Sequence, residues 1–130
     1  MENDKKIIFI SGHGDLTDKE FDEFYKNKIN EHIALNNTFI ICDFKGADTK
    51  AQNYLKQLNY KKVIIVNMFE NPRYKADSEW KSVNGFKTDE ERDTYCTLNS
   101  SEDILFIRKG KEKSGTAANL KRRINKSWIK

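Results

Sequence analysis

No stretch of this chain approaches the roughly 20 consecutive apolar residues that span a bilayer, so no membrane-spanning helix is expected. Proline occurs once, at Pro72, and glycine only six times in 130 residues. That scarcity argues for regular elements rather than a loop-dominated fold. Cysteine is limited to Cys42 and Cys96, with no Cys-x-x-Cys or Cys/His spacing. A disulfide scaffold and a zinc site are therefore not expected, and the pair reads as two reduced thiols of a cytosolic protein. No internal repeat and no low-complexity tract is visible. Residues 1–6 are mainly polar and run straight into an apolar pattern, so a secretory leader is not expected and a cytoplasmic location is.

What is present suffices for one domain. Residues 1–130 can bury a core without staples, and eight Phe, five Tyr and two Trp supply bulk although 34% of the residues are charged. The net charge of +4 is unevenly placed: residues 108–130 hold nine Lys/Arg against Glu112 alone, a local balance of +8 that leaves −4 for the rest. A basic end of this kind, concentrated in residues 121–130, suits nucleic acid or another polyanion. It equally suits a solvated helix face whose last-turn cations complement the helix dipole. Trp128 is the only aromatic among these cations and can pack the end of the chain down.

Four short apolar runs, at residues 6–11, 38–43, 62–66 and 103–107, read as strands covered on both faces. Helical patterns alternate with them. Thr17 and Glu20 form a capping-box pair ahead of Phe21, Phe24, Tyr25, Ile29 and Ile33. A second helix spans about 47–58 and turns Ala51, Tyr54, Leu55 and Leu58 inward, and a third starts at the Thr88/Glu91 pair and runs to about Asn99. The last opens near Ser114 or Gly115 and points Leu120 and Ile124 inward. Alternation of this kind implies right-handed crossovers and an α/β, Rossmann-like, three-layer domain, with a parallel sheet of about four strands in the order 3-2-1-4 flanked by helices. Residues 67–85 lack periodicity and expose Arg73, Tyr74 and Trp80, so they read as a long loop and a candidate lid.

Ligands of open parallel sheets sit beyond the carboxyl ends of the strands, where strand order reverses. Three segments follow strands there: Ser11-Gly12-His13-Gly14-Asp15, then Asp43-Phe44-Lys45-Gly46-Ala47-Asp48, and residues 108–113 leading to Ser114-Gly115-Thr116. Gly12 and Gly14 admit close approach of backbone amides, without spelling a dinucleotide fingerprint or a Walker motif. His13 suits a base, sugar or phosphate contact, or plain solvent exposure. Asp43 suits ribose hydroxyls, and Asp48 either a ligand or a helix cap. Ser114, Gly115 and Thr116 form a candidate phosphate nest or an ordinary N-cap, with Lys109, Lys111 and Lys113 alongside. Met68 at the end of the third strand, Arg92 on the third helix, Arg73 and Asn119 complete the candidate ligand set. Asp15, Asp48, Asp89 and Arg92 are the candidate catalytic groups. No metal site and no cofactor is expected.

The order of these motifs resembles the SLOG superfamily of Rossmannoid domains: a Gly12-His13-Gly14-Asp15 turn, a strand ending Asp43-x-x-Gly46-Ala47-Asp48, Arg92 with Cys96 and Asp103 spaced behind it, and Ser114-Gly115-Thr116-x-x-Asn119. That superfamily includes DprA-type domains and the LOG phosphoribohydrolases, with nucleoside 2-deoxyribosyltransferases as a neighbouring fold. The resemblance implies a first ligand loop at Gly12 and Asp15, a second at residues 43–48, a phosphate-facing turn at Ser114, Gly115 and Thr116, and a helix arginine at Arg92. By analogy it also implies a homo-oligomer. The chain departs from the hydrolases and transferases at Asn119, where they carry glutamate, and an amide is neither nucleophile nor base at neutral pH. The expectation is a site for a nucleotide or nucleoside derivative, in a sensor or processing domain. The alternatives are an N-glycosidase or deoxyribosyltransferase acting on nucleoside monophosphates, and single-stranded nucleic-acid binding through the basic end.

Overall fold

A computed structural model of the chain describes residues 5–125. The continuous apolar runs become strands because each is covered on both faces: in β1 (Ile7–Ile10) Ile8 and Ile10 face one side and Phe9 the other. In β2 (Thr38–Ile41) Phe39 and Ile41 oppose Ile40 in the same way. With β3 (Val63–Met68), β4 (Lys81–Phe86) and β5 (Glu102–Ile104) they form one five-stranded, entirely parallel sheet in the order β4-β3-β2-β1-β5. Strand order reverses between β1 and β5, which places the switch point at the carboxyl end of β1.

Helices α1 (Asp18–Phe24), α2 (Lys26–Ala34) and α3 (Ala47–Gln57) cover the larger core, where Tyr25, Ile29, Ala51 and Leu55 meet the sheet. Against the other face, α4 (Asp89–Leu98) packs Cys96 over Phe9, Ile40, Cys42 and Val66, and α5 (Gly115–Ile124) lies beside α4 and β5. Both parts of the Thr17–Glu20 capping box are made at 3.0 Å. The helix it opens breaks at Tyr25, whose fully buried ring stacks on Phe21. The Tyr25 hydroxyl donates to Ser11 O at 2.8 Å and accepts from Phe106 N at 3.1 Å. That second bond takes residues 105–107 out of the sheet, so β5 ends sooner than its apolar run suggests, and Phe106 stacks on Phe24 instead.

The expected four-strand order is present with a fifth strand added outside it. Residues 67–85, expected as a loop and candidate lid, instead contain the end of β3 and most of β4. An edge strand needs little apolar surface, and β4 offers only Val83 and Phe86 to the core. The linking residues 69–80 are anchored rather than free. Trp80 is 3% exposed, not solvent-facing, and its Nε1 donates to Tyr60 O. Gln52 donates to Tyr74 O and accepts from Ala76 N. Two helix faces also differ from expectation. Leu58 falls just past the end of α3 and is half exposed, and Ile124 is 70% exposed with Leu120 partly so. Helix α5 turns Thr116 and Asn119 inward, with Arg123 following on the same stripe. The Arg123 guanidinium bonds both Asp103 carboxylate oxygens, Ser100 Oγ and the carbonyls of Thr97 and Ser100. The expectations on Lys126, Trp128 and Lys130 lie outside the described residues.

Candidate functional site

The loops after β1, β2 and β5 and the first turns of α4 and α5 enclose a cleft of about 480 Å³ at the switch point, a size suited to a small organic ligand. Eleven of the residues singled out in the sequence line it: Ser11, Gly12, His13, Gly14 and Asp15 from the first loop, Asp48 from α3, Asp89 and Arg92 from α4, and Ser114, Gly115 and Thr116 from α5. Lys111 and Arg73, the flanking cations, line it as well.

The others stand behind the wall. Asp43 is buried and holds Arg73, accepting from its backbone N at 2.6 Å and from Nη2 at 2.8 Å. Gly46 has φ of 76°, and a Cβ there would overlap His13 O and the Gly14 carbonyl, so glycine is what lets the first two loops touch. Ala47 N donates to His13 O at 3.1 Å across the same junction. Met68 ends β3 away from the cleft lining, beside Phe86 of β4. Asn119, at the position where the resemblance expects a catalytic glutamate, is buried outside the lining and accepts from Arg122 Nη1 at 2.6 Å.

His13 has a defined protonation pattern. Its Nε2 accepts from Arg108 N at 2.9 Å, so the ring proton sits on Nδ1. Burial, with Arg108 and Lys111 nearby, lowers its pKa below the ordinary 6.5 despite the opposing Asp15 and Glu20. The Arg108 side chain spans Asp15 at 3.1 Å and Glu20 at 2.8 Å, tying the segment after β5 to the first loop. That pairing and the Thr17 amide hold Glu20 down at about 2.

Asp48 behaves oppositely. It is buried, and burial pushes its carboxyl up to about 7 against the pull of the Phe44 amide and Arg92. Its Oδ2 accepts from Phe44 N at 3.1 Å. Arg92 is 7% exposed. Its Nε bonds Asp93 Oδ1 at 3.1 Å, while Nη1 lies 3.1 Å from Asp89 Oδ1 but out of line for a hydrogen bond. Ser11 Oγ, equally buried in the wall, also has no hydrogen-bond partner. Beneath them Cys42 and Cys96 are free thiols with sulfurs 3.7 Å apart, and the neighbouring thiol together with burial raises the Cys42 pKa.

Backbone donors add to this arrangement. Among the described residues, the amides of Gly12, His13 and Gly14 and of Gly115 and Thr116 make no hydrogen bond. Ser114 Oγ caps α5 by accepting from Ala117 N at 3.1 Å. A cleft lined by residues with free amides, a buried guanidinium and a part-protonated carboxyl can bind an anionic group and meet polar hydroxyls.

Five lining residues escaped sequence reasoning: Phe9, Cys42, Phe44, Lys45 and Asp93. Phe44 and Lys45 lie inside a loop already singled out, and their position beside its glycine was the available signal. Phe9 and Cys42 carried none, since they belong to apolar strand runs, and Asp93 reads as one more acid in the stretch that opens a helix. Among the described residues, no group of three or more His, Cys, Asp or Glu could hold a metal ion, and no helix is long and apolar enough to cross a membrane. Compared with protein-family models, curated proteins and solved structures, the chain has no match in any of the three.

Proposed function

We propose that this cleft binds a nucleotide or nucleoside derivative, in the manner of the SLOG-type domains that the motif order resembles. The observation that carries the reading is a pair of buried cleft-lining groups without a hydrogen-bond partner, Arg92 Nη1, whose charge is paired with Asp89 at 3.1 Å, and Ser11 Oγ. Buried polar groups without partners are rare in proteins and mark places where a ligand completes the hydrogen bonding. A guanidinium with free donor capacity calls for a planar or tetrahedral oxyanion. The free amides at the start of α5 and Lys111 favour the same charge. A thermal-shift screen with nucleoside mono- and diphosphates and ADP-ribose tests this. A bound ligand at about 100 times its Kd should add about 2.7 kcal/mol to stability, and Arg92→Gln should weaken that response at least tenfold in ligand concentration. No shift from any member of the panel at millimolar concentration would overturn the proposal.

One observation favours a second reading, cleavage or transfer of an N-glycosidic bond. Asp48 holds its proton to near neutrality inside the cleft, as a general acid requires, and it would replace the glutamate that Asn119 does not supply. Release of free base from a nucleoside monophosphate, lost in Asp48→Asn, is the expected result. Absence of release with binding intact leaves the site a sensor. Single-stranded nucleic-acid binding through the basic end is the weaker proposal, because Arg122 and Arg123 are engaged within the protein.

A further inference from the structure

We infer that Phe44 is the seat of a planar heteroaromatic ring, and that it makes the cleft select base-bearing ligands over bare sugar phosphates. The inference rests on the nucleotide reading above and assigns an orientation within it. Phe44 is 42% exposed, and among the described residues it alone of the large exposed apolar side chains lines the cleft. Apolar surface left in water is unfavourable by about 25 cal/mol per Å², and here it lies in a concavity rather than on an outer face.

The ring is held in place rather than left mobile. Its backbone is pinned on both sides, with N donating to Asp48 Oδ2 at 3.1 Å and O accepting from Thr49 Oγ1 at 2.9 Å. It packs against Gly14 so closely that a Cβ there would lie 2.6 Å from Phe44 Cε2. The Arg73 guanidinium stands 5.2 Å from the ring centroid, itself fixed by Asp43, and Lys45 Nζ stands at 5.9 Å. Arg73 and Lys45 stand over part of the ring, so a flat, electron-rich ring has the exposed part of Phe44 and the planar Arg73 guanidinium to stack on. Lys111 and the free amides of Gly115 and Thr116 also line the cleft, on segments that follow β5 rather than β2. A ligand with a flat ring and an anion separated by a sugar fits that arrangement.

Calorimetric titration of the full chain with AMP, GMP, CMP, UMP and ribose 5-phosphate tests the inference. The best-bound monophosphate should exceed ribose 5-phosphate at least tenfold in affinity. Phe44→Ala should weaken that monophosphate ~5- to 150-fold while leaving ribose 5-phosphate within about twofold. Phe44→Trp should keep monophosphate binding and report it by fluorescence quenching that ribose 5-phosphate does not produce, a signal that a purely structural role for the ring would not give. Equal weakening of both probes in Phe44→Ala, or no weakening of either, overturns the stacking role and leaves nucleotide binding standing. If wild type binds none of the five probes, the inference falls, while the nucleotide reading is judged by the diphosphates and ADP-ribose of the thermal-shift panel. Should Phe44→Ala fail to fold, Phe44→Leu and the Trp variant carry the same comparison.

Discussion

His13 Nε2 accepts a hydrogen bond from the backbone of Arg108, a residue 95 positions later in the chain, at 2.9 Å. A histidine that lines the cleft also latches the first loop to the segment after β5. Only the neutral ring can do this, because a protonated ring has no acceptor.

The first prediction concerns pH. The folded pKa of His13 is depressed, so the latch stabilises the protein fully above the unfolded value of about 6.5 and is lost as pH falls through the folded pKa. NMR titration of the imidazole should give a midpoint below 6.5 and show the Nδ1–H tautomer at neutral pH. Exchange of the Arg108 amide, corrected for its intrinsic rate, should quicken as pH falls through that midpoint. A midpoint at or above 6.5 would refute the latch.

Asp48 carries the opposite sign. Its folded pKa, about 7, stands above its ordinary 3.8, so its contribution is complete below pH 3.8 and is lost as pH rises through 7. Asp48→Asn keeps an acceptor for the Phe44 amide and removes the buried charge. Urea unfolding should find the variant more stable than wild type at pH 8, by up to about 4 kcal/mol, and nearly equal at pH 4.

Trp80 is expected to matter more than its place in an aperiodic segment suggests. Trp80→Ala should destabilise the fold by about 3–5 kcal/mol through the cavity it leaves. Trp80→Phe should cost far less, mostly the bond to Tyr60 O. Denaturant midpoints for the two variants make the comparison.

Gly46→Ala should destabilise by about 2 kcal/mol or more, since its backbone has positive φ and a methyl group would strike the first loop. Because that loop lines the cleft, the variant should also weaken the nucleotide binding proposed above at temperatures where it remains folded. Wild-type affinity in a folded Gly46→Ala protein would show the loop junction to be irrelevant to the site.

How legible these features were follows from burial. Strands β1 to β3 are apolar on both faces, so their sequences announce them, and the sheet order follows from alternation with helices. Strand β4 sits at an edge, and Lys81, Ser82 and Asn84 leave its sequence indistinguishable from a loop. Helix α5 misled for a different reason. Leu120 and Ile124 mark the apolar stripe, yet the inward stripe includes Arg123, whose charge is matched by Asp103 and whose donors are met by carbonyls. A partly buried cation whose donors are satisfied reads as surface in a sequence. The loops of the site were legible from glycine and acid placement. The packing contacts inside them were not, because Arg108 N donates to His13 and Arg73 donates to Asp43 across 95 and 30 positions of the chain, which no local pattern announces.

The phenol oxygen of Tyr25 touches Ser11 on one wall of the cleft and Phe106 before the other. Both walls thus inherit their spacing from a side chain rooted in the hydrophobic interior, while Phe44 and Arg73 belong to neither anchor. The molecule divides into a frame, set by folding and intolerant of change, and a rim free to vary. Ligand preference in such an architecture is rewritten at residue 44, which is 42% exposed, more readily than at Arg73, whose guanidinium pairs with the buried Asp43.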